Sequence, residues 1–271
     1  MGEREDKIWA GIDVHYAEAL KHFPIEQIAV LALQGSQNYS LDTPDSDIDT
    51  KLIVIPTFKD ICLNCKPVST TYILDNNEHL DAKDARLYME IFRKQNLNFL
   101  EILFTPYKIV NPQYADEWAK LVLNREDIAH MNPYRAVKSM KGIAMEKYHA
   151  MEHRYPSKID LIEQYGYDPK QTSHLVRVRD YLDRYIAGVP YEECLIPSEE
   201  YITLIKDLKM KKYSLEEARA IADENIAYVS MIADNFCDKH NDEENPKMRE
   251  LLEDVSYNIM KISVIEELKK V

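Results

Sequence analysis

Gly35-Ser36-Gln37-Asn38-Tyr39-Ser40-Leu41-Asp42-Thr43-Pro44-Asp45-Ser46-Asp47-Ile48-Asp49 is the stretch on which the reading of this chain turns. Before it, Gln27 to Leu33 is apolar and partly β-branched, the pattern of a buried strand. After it, Ile48 to Ile55 reads as a second strand, stopped by Pro56. The order is strand, Gly-Ser turn, loop, Asp-x-Asp, strand, with Asp47 eleven residues past Ser36. Side chains two apart on a strand share a face, so Asp47 and Asp49 are expected to project together from one strand end. Carboxylates so placed repel each other unless a cation sits between them. Magnesium suits the position, because it takes oxygen donors from one or two carboxylates together with substrate phosphates. Gly35 lets backbone amides approach a phosphate closely, and the Ser36 hydroxyl can donate to a further phosphate oxygen. Each piece alone is common turn or edge chemistry. Their order and spacing point to a site that holds a nucleoside triphosphate with its metal.

Outward from this stretch, residues 13–22 read as a short helix before the first strand. Residues 57–69 are loop or a short helix. Thr70 to Leu74 reads as a third strand, and the turn Asp75-Asn76-Asn77 sends the chain back along a fourth to about Asp81. From Ala82 the periodicity becomes helical, with Ala85 and Tyr88, and Leu87, Ile91 and Phe92, at helix spacing. Phe99 to Phe104 is a short apolar helix ending before Pro106. The remainder is mostly helix: Pro133 to about Arg154, Gln171 to Ile186 closed by Gly188, and Glu199 to Met210 after Ser198. A capping box at Ser214-Leu215-Glu216-Glu217 opens a helix to about Asn235, and Asn245-Pro246 opens the last one.

With 271 residues the chain can bury one large core or two smaller ones. Its longest apolar runs are far too short to span a bilayer, and the charged MGEREDKIW start is no secretory signal, so a cytoplasmic protein without membrane contact is expected. The Met-Gly start is a poor myristoylation signal, since position 6 is Asp. Cys62 and Cys65 have CxxC spacing, but no second pair or histidine couple accompanies them, and free thiols are expected. A net charge of −13 favours a small phosphorylated ligand over a broad nucleic-acid platform, which would need a basic face.

The Gly-Ser…Asp-x-Asp stretch resembles the signature of the DNA polymerase beta nucleotidyltransferase superfamily. More narrowly, Gly35-Ser36-Gln37-Asn38-Tyr39 with Thr43-Pro44-Asp45-Ser46-Asp47-Ile48-Asp49 is similar to the bacterial and phage nucleotidyltransferases associated with RNA ligases. Two later stretches are similar to further elements of that family. Asn96-Leu97-Asn98-Phe99-Leu100-Glu101-Ile102-Leu103-Phe104 is like its NPxxLExLF element. Gly166-Tyr167-Asp168-Pro169-Lys170-Gln171-Thr172-Ser173-His174-Leu175-Val176-Arg177 is like its GYDxKxxxHxxR helix. The chain departs from the family at Ser40, where a glycine follows the tyrosine, and at Leu97, where a proline follows the asparagine.

The resemblance implies an α+β fold: a polymerase-beta-like domain over residues 1–110, with a small mixed sheet flanked by helices. An all-helical domain over 111–271 would follow and complete the nucleotide and acceptor cleft. It implies a third carboxylate from a neighbouring strand, completing the metal site and acting as base. Asp81 is the candidate and Asp84 the runner-up, although Asp84 also reads as a plain first-turn helix residue. Asp47, Asp49 and Asp81 would hold two Mg2+ (or Mn2+) ions about 3.5–4 Å apart. Gly35 and Ser36 would position phosphates. Lys170, His174 and Arg177 fall on one helix face and would meet the triphosphate or the acceptor's phosphate, unless they are a solvated face with a semi-buried histidine. Lys138 and Lys141 are weaker additions to that wall, and Tyr134, Tyr148, Tyr165 and Tyr167 read as packing residues. The implied reaction moves a nucleoside monophosphate from an NTP, ATP foremost, to an acceptor hydroxyl on RNA or protein. A nucleotide- or RNA-binding module without turnover and an antitoxin-like, protein-nucleotidylating regulator are the rival readings.

Overall fold

The computed structural model describes residues 2–44 and 46–269, so Asp45 lies outside the described residues. Contacts divide the chain into two compact units: a sheet unit that runs to Met131 and resumes at Glu244, and a helical unit, Asn132–Glu243. The fold is α+β, with a mixed sheet flanked by helices and a helical C-terminal region.

In the sheet unit, helix α1 (Glu3–His22) precedes β1 (Ile28–Gln34), β2 (Asp49–Val54), the short helix α2 (Phe58–Cys62), β3 (Ser69–Ile73) and β4 (His79–Asp84). Helices α3 (Ala85–Arg93) and α4 (Leu97–Leu100), strand β5 (Lys108–Val110), and helices α5 (Ala115–Leu123) and α6 (Arg125–Ala129) follow. The strand order is β3-β4-β2-β1-β5; β2 and β4 run parallel, and the other neighbours are antiparallel. β1 lies inside the sheet and is buried from Ile28 to Leu33, which is why it reads as an unbroken apolar run. On β4 burial alternates: Leu80, Ala82 and Asp84 are buried, while His79, Asp81 and Lys83 face the other way, half-buried or exposed.

Ile8, Ile12 and Ala19 of α1 close one sheet face against Leu31, Leu33, Leu52, Val54, Leu80 and Ala82. The helix begins ten residues before the expected start at 13, because Ile8 and Ile12 extend the apolar stripe into a charged terminus. On the opposite face, Lys51 lies 3.8 Å from the centroid of the Phe99 ring, which packs with Tyr88 of α3. The buried stripe of α3 is Ala85, Tyr88, Met89 and Phe92; Leu87 and Ile91 are half-buried. β5 was not legible: three residues between Pro106 and Pro112 form an edge strand on β1.

In the helical unit α7 (Pro133–Ala150), α8 (Ile159–Tyr165), α9 (Pro169–Ile186), α10 (Tyr191–Leu195), α11 (Glu199–Lys209) and α12 (Leu215–Cys237) follow one another, and α9 packs against α7, α10, α11 and α12. The capping box expected at Ser214 is present. The last helix, α13 (Pro246–Leu268), packs on α3 and α5 and so returns to the sheet unit. The division therefore differs from a boundary at 110: residues 111–131 and the final helix belong to the sheet unit. No described helix is long and apolar enough to cross a membrane.

Candidate active site

Antiparallel pairing sets Gln34 directly opposite Asp49. Gly35 therefore follows the residue facing Asp49, and the Gly-Ser turn and the Asp-x-Asp segment occupy the same end of the β1–β2 pair. Gly35 has φ +105° and ψ −158°, a region open in practice only to glycine. Its amide donates to Glu101 Oε1 at 3.1 Å. Ser36 opens a short 3-10 turn, Ser36–Tyr39, and its hydroxyl has no partner among the described residues.

Asp47 and Asp49 are held by different means. The Gln37 side-chain amide donates to the Asp47 carbonyl at 2.6 Å. The exposed carboxylate of Asp47 has no hydrogen-bond or ion-pair partner among the described residues. Asp49 Oδ1 accepts from the His79 amide at 2.8 Å and lies 3.3 Å from His79 Nδ1. The Ile48 amide between them donates to Glu78 Oε1 at 2.8 Å.

Asp81 shares the sheet face of Asp49, through the parallel pairing of Lys51 with Asp81. Its two oxygens are engaged by lysines: Oδ2 by Lys51 at 3.1 Å and Oδ1 by Lys83 at 2.9 Å. Burial pushes the Lys51 ammonium below its ordinary value, and the neighbouring Asp81 opposes that shift. Burial, and then the charge of Asp81, raise the Tyr88 phenol well above its ordinary value. Asp84 is the N-cap of α3, accepting from the Arg86 amide at 2.8 Å and pairing with the Arg86 guanidinium at 2.7 Å. Its structural reading is therefore the one that accounts for its contacts.

Among the described residues, no three His, Cys, Asp or Glu side chains are gathered as a ligand set. A hard cation at this sheet end still finds suitable donors in the open carboxylate of Asp47 and the uncommitted oxygen of Asp49. Asp81, as placed, serves its two lysines. Cys62 and Cys65 are free thiols.

In the helical unit, Asp168 caps α9, Lys170 is exposed, His174 half-buried and Arg177 buried. Burial holds the His174 imidazolium well below its ordinary value, and Arg177, Lys170, Lys147 and Lys209 add to that effect. Lys141 pairs with Asp234 at 2.6 Å, and Lys138 lies 5.6 Å from the Tyr134 ring centroid. Tyr167 is fully buried and donates to the Tyr213 carbonyl at 2.9 Å; Tyr148 donates to Asp223 at 2.7 Å; the Tyr165 ring carries Lys211 at 4.6 Å.

Sequence reasoning did not single out Gln37, Lys51, Glu78, Lys83 or Glu101. Two had a readable signal: Lys51 is a charge inside an apolar strand, and Glu101 a carboxylate inside the run Phe99-Leu100-Glu101-Ile102-Leu103. Both are buried, and a buried charge needs a partner.

No family model and no curated protein matches the chain. Among solved structures it is similar to a nucleotidyltransferase-like protein from Exiguobacterium sibiricum, at 11% identity over 81% of this chain and 73% of that one, with a TM-score of 0.32. A likeness at that level says nothing of activity.

Proposed function

We propose that the chain is a metal-dependent nucleotidyltransferase that moves a nucleoside monophosphate from an NTP, ATP foremost, to an acceptor hydroxyl. The observation that supports this is the open carboxylate of Asp47, two residues before Asp49, at the sheet end that carries the Gly35-Ser36 turn. Asp47 and Asp49, joined by Asp81, would hold Mg2+ or Mn2+, which supplies charge neutralisation of the triphosphate and activation of the acceptor oxygen. Ser36 donates its hydroxyl to a phosphate oxygen. Gly35 shapes the turn through its backbone, with its amide kept by Glu101. Lys51 and Lys83 are charge-assisted donors, and incoming phosphate oxygens can replace Asp81 as their acceptor, freeing that carboxylate. Lys170, His174 and Arg177 would offer a phosphate contact on α9 of the helical unit. In the transfer the acceptor oxygen bonds to the α-phosphorus, the bond from that phosphorus to the leaving pyrophosphate breaks, and the hydroxyl proton is lost to base.

The test is transfer of label from α-labelled ATP by the wild type and by Asp47→Ala with Asp49→Ala. The double variant is expected to lose all transfer; equal transfer by the two proteins refutes the proposal. One observation favours a second reading, a nucleotide-binding module without turnover: both Asp81 oxygens are occupied by lysine. Calorimetric ATP binding with no pyrophosphate release across RNA and protein acceptors would favour it. Labelling a lysate with and without RNase separates an RNA acceptor from a protein side chain.

A further inference from the structure

The geometry points to His15 and Glu78 as positioning residues that hold the Asp47-Ile48-Asp49 segment in its working shape. This deepens the proposed reaction and rests on that reading. His15 of α1 is fully buried. Its Nδ1 lies 2.8 Å from Thr50 Oγ1 and its Nε2 3.2 Å from Glu78 Oε2. The other Glu78 oxygen accepts the Ile48 amide at 2.8 Å. One residue on, the His79 amide donates to Asp49 Oδ1 at 2.8 Å. The turn before β4 therefore grips the acidic segment twice: a side chain takes a backbone amide, and a backbone amide takes a side chain.

The place of the grip explains its need. Ladder pairing of β2 begins at Asp49 on one side and Thr50 on the other. Ile48 precedes both ladders, so Glu78 supplies the acceptor that a strand neighbour does not. Burial pushes the Glu78 carboxyl up, but hydrogen bonds from Ile48, Asn76 and His15 outweigh it and leave it below its ordinary value. A His–Glu pair whose histidine is fully buried is a weak source of stability, because desolvation offsets its attraction; setting register is its better-attested use. Partners one step behind a metal-binding carboxylate typically change affinity or activity about 10- to 100-fold when removed.

The experiment uses the full chain with Glu78→Ala, Glu78→Gln, His15→Leu and the Glu78→Ala/His15→Leu double variant. Three quantities are read: kcat for transfer, the Mn2+ concentration that half-broadens the Asp49 resonance, and amide exchange at Ile48 relative to Leu52. Glu78→Ala is expected to lose about 10- to 100-fold in kcat and to need correspondingly more Mn2+. Exchange should quicken at Ile48 and not at Leu52. Glu78→Gln should recover most of the loss, since its carbonyl still accepts the Ile48 amide. The double variant should be no worse than Glu78→Ala, as members of one network are not additive. The proposal is overturned if Ile48 exchange is unchanged in Glu78→Ala, if Leu52 quickens equally, or if Glu78→Gln is as impaired as Glu78→Ala. A wild type that transfers to no acceptor would sink the enzyme reading alone, leaving the clamp to be judged by exchange and Mn2+ binding.

Discussion

Glu101 shows what a single buried group does here. Its carboxylate is almost wholly buried and accepts the Gly35 amide, tying the segment after α4 to the turn after β1. Replacing it with alanine strands that amide, which costs about 1–3 kcal/mol where the group stays dry. Urea unfolding of Glu101→Ala should show that loss, whereas Glu101→Gln, which keeps an acceptor oxygen, should lose less. Equal losses would mean that charge rather than the hydrogen bond matters. Gly35→Ala isolates a different cause. The nearest atom to an added Cβ is Gln37 Oε1 at 3.7 Å, so there is room for it. The backbone at φ +105° still resists a side chain, and a loss of about 1–3 kcal/mol is expected from that alone. The Gly-Ser turn was legible as a motif. The partner of its amide was not, because Gly35 and Glu101 lie far apart in the chain and no local pattern links them.

At the scale of elements, the contact between α1 and the acidic segment is the sensitive one. A Cβ on Gly11 would lie 2.8 Å from Ile48 Cγ1 and 3.0 Å from its Cβ. Glycine inside a helix costs about 1 kcal/mol against alanine, so an uncrowded Gly11 would be improved by Ala. Here Ile48 is buried and β-branched and has little room to give way. Gly11→Ala is expected to be destabilising, with overpacking of about 1–3 kcal/mol exceeding the helix gain. It should also depress transfer, since Ile48 lies between Asp47 and Asp49. A Tm at or above that of the wild type would show that α1 can shift freely. Strands β1 to β3 and the start of β4 were readable because their apolar or alternating pattern is local, whereas Ala82 to Asp84, expected to be helical, continue β4. β5 was not, since three half-buried residues carry too short a pattern to register.

At the scale of the whole molecule, the sheet unit is discontinuous, and its last helix is part of its core. Met248, Leu252, Val255 and Ile259 of α13 are buried, each contributing about 1.5–3 kcal/mol by removal from water. Together they approach the entire stability of an ordinary domain, about 5–15 kcal/mol. Removing residues 245–271 should therefore unfold the sheet unit, with rapid amide exchange throughout β1, while α9 in the helical unit stays protected. Protection of β1 in the truncated chain would show that α13 is dispensable. The acidic total of −13 adds a constraint on partners. Cations such as Lys141 are already paired with carboxylates, which favours a compact phosphorylated ligand over a long polyanion.

Periodicity and turn chemistry by themselves determined the strand–turn–strand frame, most of the helices and the capping box at Ser214. These are short-range properties, set by side-chain alternation and backbone preference within a few residues. The tertiary structure alone decided that Asp81 meets Lys51, that Glu101 holds Gly35, and that His15 and Glu78 reach the amide of Ile48. Those contacts depend on which strand lies beside which and which helix covers which face. A buried polar atom takes whatever partner the packed chain brings within 3 Å or so, and sequence distance carries no trace of that choice.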